Sequence, residues 1–290
     1  MIIIKLQGGF GNQLFQYAFG RALAIRRNTT CKLDLTAYSI SGYNRKYLLD
    51  KFAITVPIAT PSEINRLKNP YGVLSKVLRK IKSKATYHNT NKFNPKAYNI
   101  SGDAYLQGFW ETEKYFKDIE PIIRKEFTLK NGYGIGAQKV KQSILSAGDQ
   151  SVSLHVRRTD VSGDTSNPHY GMTEPYYYKK AVERIRQSVP NPLFFIFSDD
   201  IEWCKTNIIP NEKVVFVTGQ GLKDYEELFL MSECRHHIIA NSTFSWWAAW
   251  LNPRADKTVI APKHWIRGPI ENYKDTVPES WITIDNIENK

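Results

Sequence analysis

Ser151-Val-Ser-Leu-His155-Val-Arg157-Arg158-Thr159-Asp160 is a mostly apolar run that ends in two arginines and an aspartate. Its first six residues have the length and β-branching of a buried strand. Two guanidiniums at a strand end cost desolvation and side-chain entropy, and their forked donors fit a planar or multiply charged anion. In an open α/β sheet, ligands bind outside the carboxyl ends of the strands. The stretch therefore predicts a phosphate or diphosphate site. Side chains alternate along a strand, so His155 and Arg157 share one face and Arg158 takes the other. Arg157 is expected to reach the ligand, and Arg158 to pack or to pair internally with Asp160.

Working outward, a polar loop over 161–173 leads to a helical pattern from Pro175 to Ser188 and a buried strand over 193–197 ending in Ser198-Asp199-Asp200. Further strands are expected over 214–217, 236–240 and 258–261, with helices over 223–233 and 244–251 between them. Upstream, residues 2–6 read as a strand, 12–26 as a helix and 31–35 as a second strand. Residues 38–110 show no clear alternation. Strands alternating with helices at this spacing predict parallel, doubly wound sheets. The turn-forming Leu145-Ser-Ala-Gly-Asp-Gln150 sets a boundary, giving two Rossmann-like domains, 1–148 and 149–290, that face a central cleft.

The 290 residues carry a net charge of +12, 42% hydrophobic residues and a mean hydropathy of -0.42. No apolar run reaches the ~18 residues of a membrane span, and Met1-Ile-Ile-Ile-Lys5 lacks the regions of a signal peptide. Three scattered cysteines, Cys31, Cys204 and Cys234, argue against a disulfide framework and place the chain in the cytoplasm. The excess charge is partly local. Residues 68–84 are basic without an acid, with Val73, Leu74, Val77, Leu78 and Ile81 at helical spacing. The pattern fits an ordinary surface helix, or a peripheral contact with the inner face of an acidic membrane.

Three further motifs carry chemistry. Gly8-Gly9-Phe10-Gly11-Asn12-Gln13 lies between a strand and a helix, where backbone amides and a helix N-terminus can approach an anion and the Asn12 and Gln13 amides a sugar. The alternative is a dinucleotide fingerprint starting at Gly9, but Leu14 stands where its third glycine belongs. Ser198-Asp199-Asp200 can bind a cation or a nucleotide, or simply cap a helix. Asn241-Ser242-Thr243-Phe244-Ser245-Trp246-Trp247 opens a helix after a strand, a second anion-binding start, with the tryptophans read as packing. No metal-ligand spacing is present, and His236-His237 point to opposite faces of a strand.

These motifs together resemble the GDP-fucose-dependent fucosyltransferases, most closely bacterial α-1,2-fucosyltransferases of glycosyltransferase family 11. The resemblance also includes Leu106-Gln-Gly-Phe-Trp-Glu-Thr-Glu-Lys-Tyr-Phe116 and runs along most of the chain. It implies a GT-B-like fold, with the donor GDP-L-fucose in the C-terminal half and a galactose-terminated glycan toward the N-terminal half. It implies Arg157, Asn12 and Asp164 as catalytic residues, Asp164 as base. The donor would be held by Gly9, Phe10, Gly11, His155, Arg157, Asp199, Asp200, Ser242, Thr243, Phe244 and Ser245, with no metal and no nucleic-acid partner. Thr159 departs from the α-1,2 pattern H-x-R-R-G-D-Y and is closer to the α-1,6 enzymes, while the other motifs fit α-1,2. A fucosyltransferase of other linkage, an NAD-dependent oxidoreductase and a basic nucleic-acid- or lipid-binding protein are the alternatives.

Overall fold

The computed structural model describes residues 1–68, 86–88, 92–158, 173–208, 213–217, 221–266 and 270–286. The chain divides into two compact units, Met1–Lys130 with Lys274–Thr276, and Asn131–Tyr273 with Val277–Lys290.

Unit 1 is built on a four-stranded sheet. Its strands are β1 (Ile2–Lys5), β2 (Cys31–Asp34), β3 (Thr86–His88) and β4 (Ala104–Gln107), in the order β2-β1-β4-β3. Every pairing is parallel, with Ile2 opposite Cys31 on one side and Ala104 on the other. A parallel strand covered on both faces needs a continuous apolar run, and Ile2, Ile3 and Ile4 are fully buried. Helix α1 (Phe10–Arg26) packs on β1 and β2 and starts at Phe10, two residues earlier than its apolar periodicity predicts. Helices α2 (Pro61–Lys68) and α3 (Glu120–Glu126) complete the described helices of the unit. Below the sheet, Glu126 accepts from Tyr17 Oη at 2.7 Å, Thr55 Oγ1 at 2.9 Å and Arg21 Nε at 3.0 Å, so its buried charge is paired and solvated by the protein.

Unit 2 begins with α4 (Ile135–Ala147), followed by β5 (Ser151–Val156), α5 (Pro175–Arg186), β6 (Leu193–Ser198), α6 (Ile201–Asn207) and β7 (Val214–Phe216). The chain continues through α7 (Asp224–Glu233), β8 (His236–Ile238), α8 (Thr243–Leu251), β9 (Val259–Pro262) and β10 (Ile282–Ile284). Its six-stranded sheet runs β10-β9-β8-β5-β6-β7, all parallel. The units part before α4 and not at the turn near 148. Ala137, Val140 and Ile144 give α4 one buried face. Gly134 N–H donates to Glu226 Oε1 at 2.7 Å and Lys141 pairs with Glu233, which ties α4 to α7 inside unit 2. Gly148 then ends α4 with a φ of 53°, a left-handed conformation that glycine adopts without steric cost.

The expected basic helix over 68–84 lies outside the described residues apart from Lys68, the last residue of α2. Among the described residues, no helix is long and apolar enough to cross a membrane.

Candidate functional site

Both sheets contain a topological switch point, where successive connections leave a central strand in opposite directions and open a crevice at the carboxyl edge. In unit 2 the chain runs from β5 outward to β6 and β7, then returns to β8 on the other side of β5. The crevice therefore lies between the ends of β5 and β8. The end of β5 carries His155, Arg157 and Arg158, and the segment after β8 leads into Ser242–Ser245 at the start of α8. The two segments touch: the His155 and Phe244 rings lie 5.6 Å apart. The topology thus brings together two motifs separated by more than eighty positions in the chain.

Arg158 is committed to the protein. Its guanidinium lies 3.9 Å over the Trp203 ring, and its Nε sits 3.4 Å from Asp200 Oδ2. Its expected partner Asp160 is outside the described residues, as are Thr159 and Asp164. Arg157, the residue after β5, is half-buried. Asp199 Oδ1 accepts the Arg158 N–H at 2.8 Å, which fixes the backbone directly after Arg157.

Several expected ligand contacts are corrected by the packing. Asp200 is a helix cap: Oδ1 accepts from Trp203 N–H at 3.0 Å while Oδ2 faces Arg158, so both oxygens are engaged within the protein. Ser245 is fully buried and its hydroxyl donates to the Ser242 carbonyl at 3.3 Å. Phe10 is a core residue of unit 1, stacked on Phe52 at 5.4 Å. The remaining residues of the α8 start, Thr243 and Phe244, are half-buried, and Ser242 is buried with no side-chain cap bond. The first-turn N–H groups of such a helix have no intrahelical acceptor and point out along its axis. Trp246, Trp247 and Trp250 pack against one another in the core, as their helical spacing predicts.

In unit 1, Gly8 has a φ of 82°, and a side chain there would meet Asn12 Nδ2 at 2.6 Å. Asn12 thus folds back over the turn, beside Gly9 at the helix cap and the buried Gly11. Gln13 faces the protein: its Nε2 donates to the Lys46 carbonyl at 2.8 Å and its Oε1 accepts from Leu48 N–H at 3.0 Å. That amide is a tether for the 46–48 backbone and not a sugar contact.

Two groups escape sequence reasoning. Glu227, in the first turn of α7 on the carboxyl side of the unit 2 sheet, has its carboxyl pushed up to about 7 by burial and then by the neighbouring Asp224. A serine–histidine–asparagine relay joins Ser153 Oγ, His237 and Asn252 at 2.8 Å each. The Asn252 amide donates to His237 Nε2, so Nδ1 carries the proton and donates to Ser153. All three side chains are fully buried, and burial holds the imidazole well below its ordinary value. The relay therefore braces the β5–β8 pair and does no nucleophilic chemistry. Among the described residues, no group of three His, Cys, Asp or Glu side chains could hold a metal ion.

Residues 1–285 match glycosyl transferase family 11. The chain is 34% identical to an α-1,2-colitosyltransferase of Escherichia coli, over 98% of this chain and 99% of that protein. It is 28% identical to the O-antigen biosynthesis glycosyltransferase WbnK of Escherichia coli, over 96% and 99% of the two chains. With galactoside 2-α-L-fucosyltransferase Sec1 of Mus musculus the identity is 26%, over 87% of this chain and 64% of that one. In fold it is similar to NodZ α-1,6-fucosyltransferase from Bradyrhizobium, with a TM-score of 0.51 at 14% identity, over 87% and 92% of the two chains. A cationic strand end and a helix start meeting at a switch point, in a chain that matches from its first residue almost to its last, make this protein a member of glycosyl transferase family 11.

Proposed function

We propose that the protein is an inverting glycosyltransferase of GT-B-like architecture that moves L-fucose from GDP-β-L-fucose to the 2-hydroxyl of a terminal galactoside in a bacterial surface glycan. The observation that supports this reading is the contact of the β5 end, through His155, with the α8 start at the unit 2 switch point, next to Arg157 in the chain. Similarity to an α-1,2-colitosyltransferase and a galactoside 2-α-L-fucosyltransferase supports the linkage and the acceptor class.

In this reading the acceptor oxygen attacks the anomeric carbon from the face opposite the nucleotide, and the bond to the β-phosphate breaks. Negative charge grows on that phosphate through an oxocarbenium-like transition state. Arg157 and the first-turn N–H groups of Thr243–Ser245 stabilise it, so the reaction needs no metal. His155 and Asp199 border the nucleotide, Gly9 and Gly11 let the Asn12 turn approach the sugar, and Asp164 takes the acceptor proton. The three buried thiols fit a reducing cytoplasm, with the donor made on the same side of the membrane.

Incubation with GDP-fucose and a panel of β-galactosides, followed by NMR assignment of the new linkage, tests the proposal. A product with fucose on O2 is expected; transfer to O6, or none from GDP-fucose, overturns it. The 34% identity to a colitosyltransferase favours one second reading, in which the donor sugar is colitose. Colitose is fucose without its 3-hydroxyl, so competition between GDP-fucose and GDP-colitose in one reaction decides between them. A site that hydrogen-bonds the 3-hydroxyl discriminates by several orders of magnitude, because the donor lacking it leaves a buried polar group unpaired.

A further inference from the structure

We propose that Tyr38, Tyr43 and Tyr47 form an aromatic shelf on the loop after β2 that stacks the apolar face of the acceptor's terminal galactose, with Tyr47 as the specificity-determining residue. The inference rests on the galactoside-transferring reading above.

The three rings are clustered. Tyr38 and Tyr43 meet nearly edge-on at 5.8 Å, and Tyr38 and Tyr47 lie 6.3 Å apart. All three are half-buried, which leaves ring surface open to solvent. The cluster is fixed to the glycine turn: Gly8 N–H donates to Tyr43 Oη at 2.6 Å, and Tyr38 Oη donates to the Gly8 carbonyl at 3.4 Å. The Gln13 amide grips the backbone on both sides of Tyr47, at the Lys46 carbonyl and the Leu48 N–H. A buried polar side chain thus holds an exposed aromatic ring in place, an arrangement that a solvated loop does not need.

Tyr38 and Tyr43 have structural duties at Gly8, whereas Tyr47 has none of that kind. Its hydroxyl makes no hydrogen bond with any described residue, and its partner is the Tyr38 ring. Burial and the nearby Asp50 keep its phenol protonated, pushed up to about 12. The Tyr43 oxygen accepts from Gly8, which leaves its own proton to donate. Ring faces combined with neutral O–H donors suit a galactose ring, whose one face presents a patch of C–H bonds and whose rim presents hydroxyls.

The test separates the acceptor from the donor and the shelf from the reaction. Saturation-transfer NMR with methyl β-galactoside should show transfer from the wild-type protein that is lost in Tyr47→Ala and kept in Tyr47→Phe. In steady-state assays, Tyr47→Ala should raise the galactoside KM about tenfold, the scale of one lost aromatic stacking contact. The GDP-fucose KM should stay within about twofold of wild type on that scale, and Tyr47→Phe should recover most of the acceptor KM. Circular dichroism shows that each variant is folded. An unchanged acceptor KM in Tyr47→Ala, a rise in the GDP-fucose KM instead, or no saturation transfer to the wild-type protein overturns the shelf. Galactoside saturation transfer without transfer of fucose would keep the shelf and overturn the reaction.

Discussion

The two sheets solve the same topological problem in opposite ways. In unit 1 the switch point lies between β1 and β4, and the protein fills it. Gln16, fully buried, accepts from Gln7 N–H at 2.9 Å and donates to the Gly108 carbonyl at 3.0 Å, joining the two strand ends. In unit 2 the end of β5 meets the start of α8 through the His155 and Phe244 rings, with Arg157 following two residues after His155 in the chain. A switch point is thus an opportunity for binding that a single amide can close. Its closure in unit 1 moves the open chemistry of that unit to the glycine turn and the tyrosines after β2, which carry hydroxyls and rings. In the proposed reading the anion-binding chemistry stays in unit 2.

Arg157→Ala should have the largest effect, because it removes the cation from the open crevice. Loss of one preorganised charge partner at the transition state costs on the order of 10³ in kcat. The fold should survive, since Arg158 and not Arg157 carries the packing on Trp203 and the pairing with Asp200. Stopped assays with GDP-fucose, beside a thermal melt, check both halves of the statement. A turnover within tenfold of wild type would dissolve the contrast between the two switch points.

Gln16→Leu attacks the comparison from the other side. It strands the Gln7 N–H and the Gly108 carbonyl, and each unsatisfied buried group costs about 1–3 kcal/mol. Unit 1 should therefore lose roughly 2–4 kcal/mol, read as a lower urea midpoint of its own transition. GDP affinity should be unchanged if the nucleotide binds in unit 2, as proposed. A drop in GDP affinity with unaltered stability would mean that the unit 1 crevice also binds ligand.

How much of this was legible depended on how local each signal was. β5 and β6 could be read because a continuous apolar run flanked by turn residues has few other interpretations. β3 and β4, of three and four residues, carry no such run, and parallel pairing with β1 makes them strands. Helix α4 was passed over because its buried face is only Ala137, Val140 and Ile144. At the site, Asp200 was readable as a cap from its place before a helix, and the tryptophans as core from their spacing. The work of Gln16 was not readable, since its meaning comes from a carbonyl 92 positions away. The inward packing of the Phe10 and Ser245 side chains was not readable for a related reason: motif membership does not tell which side of a turn faces inward.

Glu227 gives the smallest effect and the finest probe of the unit 2 edge. Its carboxyl has a folded value of about 7, against roughly 4.3 in an unfolded chain. Between those values the folded state holds the proton and the unfolded state has released it. Stability from this group is therefore fully present below about pH 4.3 and falls as the pH rises toward 7. Glu227→Gln mimics the protonated side chain and removes that slope. Melting curves should coincide for the two proteins near pH 4.5 and separate by a few degrees at pH 8, with the variant the more stable. A difference of the same size at both pH values would mean that the acid is already ionised in the fold.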